Sequence, residues 1–428
     1  MEVLAAALPF LKVLGAFALM LVGIRNRLGL ALSILLGGAV MGLIFGLDLG
    51  RLAEVSVVAV TREQFLFLAA IVGLILILSD AQERSGQSRR LMEAVSGYLT
   101  EPRLRLVFFP ALIGLLPMPG GAIFSAPMVK TVSEGMAIHD QDRALINYWF
   151  RHVWELAWPL YPGVILTVSL AGIPVATFIA CTWPGILAML ALGWFFFLRS
   201  VPHDAKAEGG SVSTAHAAPF LTVLQAGLPL MVAIIGAVGL ETIIANTLPG
   251  VAFEWGVIIA LILAIAAIIM QNRLKSRFLL EVLGKKSLRS MLLVVAAIFM
   301  FKDIMQAAGV VEAMAGSSGG GLALFAAAFL LPFLVGMIAG INVAFVGATF
   351  PLLIGLLANL GLQDKTVAYL VLASFAGFTG VMISPIHICF LLNCQYFGVD
   401  LARTWHRLIL PCLLFAASGG LLFWYLQI

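Results

Sequence analysis

Pro117-Met118-Pro119-Gly120-Gly121-Ala122-Ile123-Phe124-Ser125-Ala126-Pro127 lies within an apolar region, 106–129, that is long enough to cross a bilayer. Three prolines and a glycine pair break any continuous helix there. Backbone freed at such a break finds no partner in hydrocarbon, so it must be buried in protein or line a watery cavity. A second interrupted stretch runs from Gly336 to Pro351, with Gly340-Ile341-Asn342-Val343-Ala344 as its turn. It occupies the corresponding place in the other half of the chain. Paired interrupted segments of this kind point to the binding site of a secondary transporter.

Composition sets the environment. Of 428 residues, 62% are hydrophobic and 11% charged, and the mean hydropathy is +1.09. Soluble domains carry about 25% charge, so the expected class is an all-α polytopic membrane protein whose main partner is the lipid bilayer. The net charge of +4 comes from basic residues clustered in loops, which suits orientation in a membrane and not nucleic-acid binding. Cys181, Cys389, Cys394 and Cys412 have no close-set metal spacing and read as packing residues, so no metal site is expected. Met1-Glu2 opens an apolar run to Ile24 without a basic n-region, which reads as a retained span.

Candidate spans are 4–24, 28–47, 63–79, 144–170, 174–198, 219–240, 254–271, 289–306, 366–393 and 408–427. The clusters Arg84 to Arg105, Arg199 with Lys206, Arg273 to Arg289, and Arg403 with Arg407 share one side only if 106–129 and 322–358 enter and leave by the same face. Both are then re-entrant hairpins, opening to opposite faces, and both termini lie outside. An internal repeat agrees. Asp80 and Gly86 match Asp303 and Gly309 at an offset of 303 − 80 = 223, and Pro110 and Gly114 match Pro332 and Gly336 at 222. The expected domains are a first repeat, 1–200, a polar cytoplasmic linker, 201–218, and a second repeat of inverted topology, 219–428. Each repeat has five spans and one hairpin.

The residues that could carry chemistry lie at the interruptions. Gly120 and Gly121 let backbone approach a ligand and Ser125 offers a hydroxyl, while a half-helix starting near Ala122 aims its N–H groups at an anion. In the first broken span, 144–170, Arg151 and Glu155 are four apart and are expected on one helix face. They read either as a carboxylate clamp with a proton carrier or cation ligand, or as a self-neutralising structural pair. His152 is a proton site or a packing histidine, and His387 carries little signal as a site. On the second hairpin Asn342 and Thr349 are polar candidates. In the second broken span, 366–393, Gly377, Thr379 and Gly380 ahead of Ser384 and Pro385 would unwind the helix and expose carbonyls to Na⁺, or else pack helices closely. No zinc-protease or phosphate-loop motif occurs. An ion gradient, not a cofactor or ATP, is therefore the expected driver. A membrane-embedded enzyme using Glu155, His152 or Ser125 is the alternative, followed by a passive channel.

Two inverted repeats of five spans, each with a hairpin and a broken helix, resemble the ion-transporter superfamily of divalent-anion/sodium symporters, citrate transporters and gluconate permeases. The Pro-Met-Pro-Gly-Gly and Phe-Arg-His-Val-Trp-Glu-x-x-Trp-Pro stretches look most like its uncharacterised prokaryotic branch. The resemblance implies a homodimer in a prokaryotic cytoplasmic membrane that carries a small organic anion, such as a carboxylate, by an elevator motion. Its sodium-coupled members have Ser-Asn-Thr at both tips. Here the tips read Pro-Gly-Gly and Ile-Asn-Val, so both Na⁺ and H⁺ stay open as the coupling ion. The implied binding residues are Gly120, Gly121, Ser125, Arg151, Asn342, Thr349 and Thr379, with Glu155, His152, Asn342, Gly377, Gly380 and Ser384 toward the ion.

Overall fold

A computed structural model describes residues 2–99, 101–115, 121–201, 218–248, 250–275, 277–315 and 320–428. Every regular element among them is helical, with no strand. Among the described residues eight helices are long and apolar enough to cross a membrane, from Leu8–Arg25 to Leu401–Leu426, so the chain is a helical, multi-pass membrane protein. Most of the expected linker, 201–218, lies outside the described residues, as does the first hairpin's tip, including Gly120.

The interrupted segments form the centre. The helices Asn342–Asn359 and Gln363–Met382 are each 72% buried, against 28% for Leu8–Arg25 and Leu401–Leu426. The peripheral helices turn Leu11, Ile235, Leu263 and Leu421 outward, as a surface solvated by lipid requires. The first hairpin has the arms Pro102–Gly114 and Ala122–Val132. The second climbs through Gly320–Phe325, a wide-turn segment Ala326–Leu330 and Leu331–Ala339, then returns along Asn342–Asn359. Gly340 makes that turn possible: its φ of 67° is left-handed, a conformation costly to any residue with a Cβ.

Both broken spans are interrupted. The first is a helix Asp140–Arg151, an irregular stretch 152–161, and a helix Pro162–Ala171 that starts on proline. The second is Thr366–Met382, a stretch 383–387, and Ile388–Phe397. Short helices absent from the sequence reading cover the ends: Leu49–Ala59, capped by Asp48, and Gln87–Ser96, Arg277–Leu283 and Val310–Ala315. Two clusters of charge tie the helix ends. Asp80 pairs with Lys285 and, at 2.7 Å, with Arg84, which reaches Glu281 at 2.6 Å. Asp303 pairs with Arg62 at 3.2 Å.

Candidate functional site

A helix that ends inside a membrane protein leaves its last carbonyls without intrahelical partners, and no water is at hand to replace them. The first hairpin arm solves this with the irregular stretch of the first broken span. Trp154 Nε1 donates to the Ala111 carbonyl at 2.8 Å, Trp158 Nε1 to Leu115 at 3.0 Å and Tyr161 Oη to Gly114 at 2.5 Å. The second half uses the same device with other residues. Tyr148 Oη donates to Met382 O at 2.9 Å and Trp405 Nε1 to Ile383 O at 2.7 Å, closing Thr366–Met382. His387 Nδ1 lies 2.7 Å from Gly340 O at the end of Leu331–Ala339. These caps explain why so many Trp, Tyr and His residues sit at the breaks.

Held this way, the breaks and the second hairpin tip meet. Arg151, 3% exposed, ends its helix with its guanidinium against Gly121, where a Cβ would stand 2.6 Å from Nη2. Its Nη1 lies 4.0 Å from Glu155 Oε1. Asn342, the first residue of the returning arm, donates from Nδ2 to Glu155 Oε2. The packing is close enough that a Cβ on Gly163 would lie 3.1 Å from Asn342 Cβ, and one on Gly340 would lie 3.1 Å from Ser384 Oγ. Asn342 Oδ1 and Ser384 Oγ are buried without a hydrogen-bond partner among the described residues. A buried polar atom without a partner costs about 1–3 kcal/mol, so this pair of orphaned oxygens marks a place suited to a ligand.

Beside this group lie two fully buried or nearly buried imidazoles. His152 Nδ1 faces Tyr148 O at 2.6 Å, and the two Nε2 atoms of His152 and His387 face each other at 3.2 Å. Glu155 Oε1 is 3.7 Å from His152 Nε2. Cys389 Sγ and the two imidazoles offer ligand atoms all within 4.8 Å of one another. Tyr148 packs on both rings, at centroid distances of 4.8 and 5.6 Å.

The structure therefore gathers Gly121, Arg151, His152, Glu155, Asn342 and Ser384 from the sequence reading. Ser125 is fully buried on Ala122–Val132. Other expectations need correction. Arg151 and Glu155 do not share a helix face, because the helix stops at Arg151. Gly377, Thr379 and Gly380 do not unwind the second broken span, since Thr366–Met382 runs through all three and breaks only afterwards. The physical reason is packing. Gly377 admits the Phe345 ring and Gly380 the Phe333 carbonyl into space a Cβ would occupy, and Thr379 Oγ1 donates to its own helix at Phe375 O, 2.7 Å. Thr349 does likewise with Phe345 O at 2.7 Å, about two turns from Asn342, and stays out of the cluster.

Sequence reasoning missed Cys389 and gave His387 little weight, because their partner His152 lies 235 residues away from His387. The available signal was His387-Ile388-Cys389, beginning two residues after Pro385 where the break that matches the one holding His152 passes into a helix. Glu241 was also missed: its carboxylate, 1% exposed, accepts from Val175 N at 3.0 Å with both oxygens, capping the helix Val175–Thr182. A cavity of about 710 Å³ lies behind the first hairpin between Gln82, Met92, Phe109, Phe124 and Pro127, and its lining does not include the polar cluster.

No curated protein matches the chain. One family profile spans nearly its whole length, residues 11–426, and the chain belongs to that family, described as "Protein of unknown function (DUF401)".

Proposed function

We propose that the protein is a secondary transporter of a small organic anion such as a carboxylate, driven by a Na⁺ or H⁺ gradient, with relatives in the ion-transporter superfamily. The observation that carries this reading is the meeting of Gly121, Arg151, Glu155, Asn342 and Ser384, drawn from the interrupted segments of both halves, at one buried place with two orphaned oxygens. A guanidinium beside a half-helix start supplies positive charge for a carboxylate. The oxygens of Glu155, Asn342 and Ser384 suit Na⁺, and interrupted helices are where such transporters place both ligands.

Inverted repeats support the same reading. Helix Glu63–Arg84 recurs as Lys286–Ala307 at an offset of 286 − 63 = 223 for both ends, followed by Gly86 and Gly309 at φ 66° and 64°. Helix Pro162–Ala171 recurs as Ile388–Phe397 at an offset of 388 − 162 = 226, closed by Gly172 and Gly398 at φ 64° and 65°. The ion pairs are reciprocal: Asp80 with Lys285 becomes Asp303 with Arg62 when the same 223 residues are exchanged between halves. Two-fold relations require this exchange of partners. Behind the second hairpin a cavity of about 420 Å³, lined by Met305, Gln306 and Pro351, answers the one behind the first. On this reading the hairpins and broken spans move together past the remaining helices as an elevator, in a homodimer in the cytoplasmic membrane of a prokaryote, with both termini outside.

The test is uptake of radiolabelled carboxylates by proteoliposomes under imposed Na⁺ or H⁺ gradients. Uptake is expected to follow one gradient and to fall at least about tenfold in Arg151→Ala and Asn342→Ala. Uptake that survives collapse of every gradient, or normal transport by both variants, refutes the reading.

A further inference from the structure

We infer that His152, His387 and Cys389 form a resident site for one divalent transition-metal ion of the zinc type. The inference stands on side-chain geometry and does not rest on the transport reading.

The tautomers are fixed by their partners. A carbonyl oxygen can only accept, so His152 Nδ1, facing Tyr148 O at 2.6 Å, and His387 Nδ1, facing Gly340 O at 2.7 Å, both carry the proton. In neutral rings both Nε2 atoms then present lone pairs, and these point at each other across 3.2 Å. Two lone pairs at that distance repel unless something positive lies between them. Either the rings share a proton or they share a cation.

The surroundings favour a cation. Two nitrogens on a tetrahedral zinc ion stand about 3.3 Å apart, given Zn–N bonds near 2.05 Å; the observed separation is 3.2 Å. A metal-bound imidazole characteristically donates its other N–H to a backbone carbonyl or carboxylate, and both rings do so here. A soft third ligand is in place: Cys389 Sγ lies within 4.8 Å of both imidazole ligand atoms, and all three residues are buried. A mixed nitrogen and sulfur set selects zinc, cobalt or copper over Na⁺, Mg²⁺ or Ca²⁺.

Charge balance completes the case. A divalent ion with one thiolate keeps a single positive charge, which the nearby Glu155 carboxylate, 3.7 Å from His152 Nε2, offsets, so the cluster can be buried within the membrane. The ion would also pin three separate segments together: the first break through His152, the second through His387 and Cys389, and the second hairpin tip through Gly340, whose carbonyl faces His387 Nδ1.

The experiment uses the full chain purified in detergent, stripped with a chelator, titrated with Co²⁺ and passed over a desalting column. One Co²⁺ per chain is expected, with the intense visible bands of a tetrahedral ion and a thiolate-to-cobalt charge-transfer band. Cys389→Ser should abolish the charge-transfer band, and His387→Ala should weaken binding by more than about 100-fold. Cys394→Ser, altered on the same helix, should change neither. Wild-type protein that takes up no stoichiometric Co²⁺ overturns the proposal in favour of a shared proton, whatever the variants do. Retention of the charge-transfer band in Cys389→Ser overturns the ligand set, and gradient-driven uptake of radioactive zinc by proteoliposomes overturns the resident role.

Discussion

Tyr161→Phe removes one oxygen atom and almost no volume. That oxygen is the donor closing the Gly114 carbonyl at 2.5 Å, and Tyr161 is 7% exposed, so water does not readily take its place. Leaving a buried carbonyl without its partner costs about 1–3 kcal/mol. If the loss falls on the local opening of Pro102–Gly114, the open population should rise about 5- to 150-fold. Hydrogen–deuterium exchange in detergent or nanodiscs reads this directly, through peptides covering residues 106–115. Peptides covering 331–339 should be unchanged, because His387 caps that end. Tyr425→Phe, at a 70% exposed position, is the matched control and should stay within about 0.5 kcal/mol of wild type. Exchange at 106–115 within twofold of wild type would mean that another group satisfies Gly114, and the buried-cap account of the break would fail.

Three further outcomes are expected. Asp80→Asn should destabilise the protein in detergent by about 1 kcal/mol, because it leaves Arg84 and Lys285, 33% and 41% exposed, solvated and not stranded, and a double-mutant cycle on Asp303 with the half-exposed Arg62 should likewise give less than about 1 kcal/mol. Gly380→Ala would press a methyl group into the Phe333 carbonyl and should cost about 1–3 kcal/mol in thermal-unfolding assays, while Gly15→Ala, with nothing within 4 Å, should be neutral or stabilising by up to about 1 kcal/mol. The side-chain hydrogen bond from Arg84, with smaller help from the charges of Arg84, Arg277 and Lys285, holds the Glu281 carboxyl below its usual range. Its contribution is therefore present above the ordinary carboxylate pKa and disappears as pH falls through the lowered one, so any melting-temperature difference between wild type and Glu281→Gln should vanish in acid.

The interruptions were legible because proline and glycine announce themselves inside apolar runs. Both hairpin regions and both broken spans were placed from those residues, and Gly340 turns as its neighbours suggested. What the sequence concealed was where each break falls. Gly377 and Gly380 look like helix breakers, yet their missing side chains serve the approach of Phe345 and the Phe333 carbonyl within an unbroken helix. Conversely, the stretch after Arg151 contains no glycine before Gly163 and is still irregular, held open by Trp154, Trp158 and Tyr161, which donate to another segment. Pairings such as His152 with His387 or Asp80 with Lys285 join residues more than 200 positions apart, which one-dimensional spacing cannot reveal.

The caps also impose an order on synthesis. Trp154 lies 43 residues beyond Ala111, Trp158 lies 43 beyond Leu115, and Tyr161 and His387 each lie 47 beyond the carbonyls they serve. A ribosome that has just made either first arm has not yet made the side chains that close it. For several dozen residues of translation that arm has bare carbonyls, which the lipid interior rejects, so it must wait at the water interface or in the insertion machinery. Each hairpin enters the membrane only with the broken span that follows it, and a nascent chain halted between the two should remain extractable by alkali.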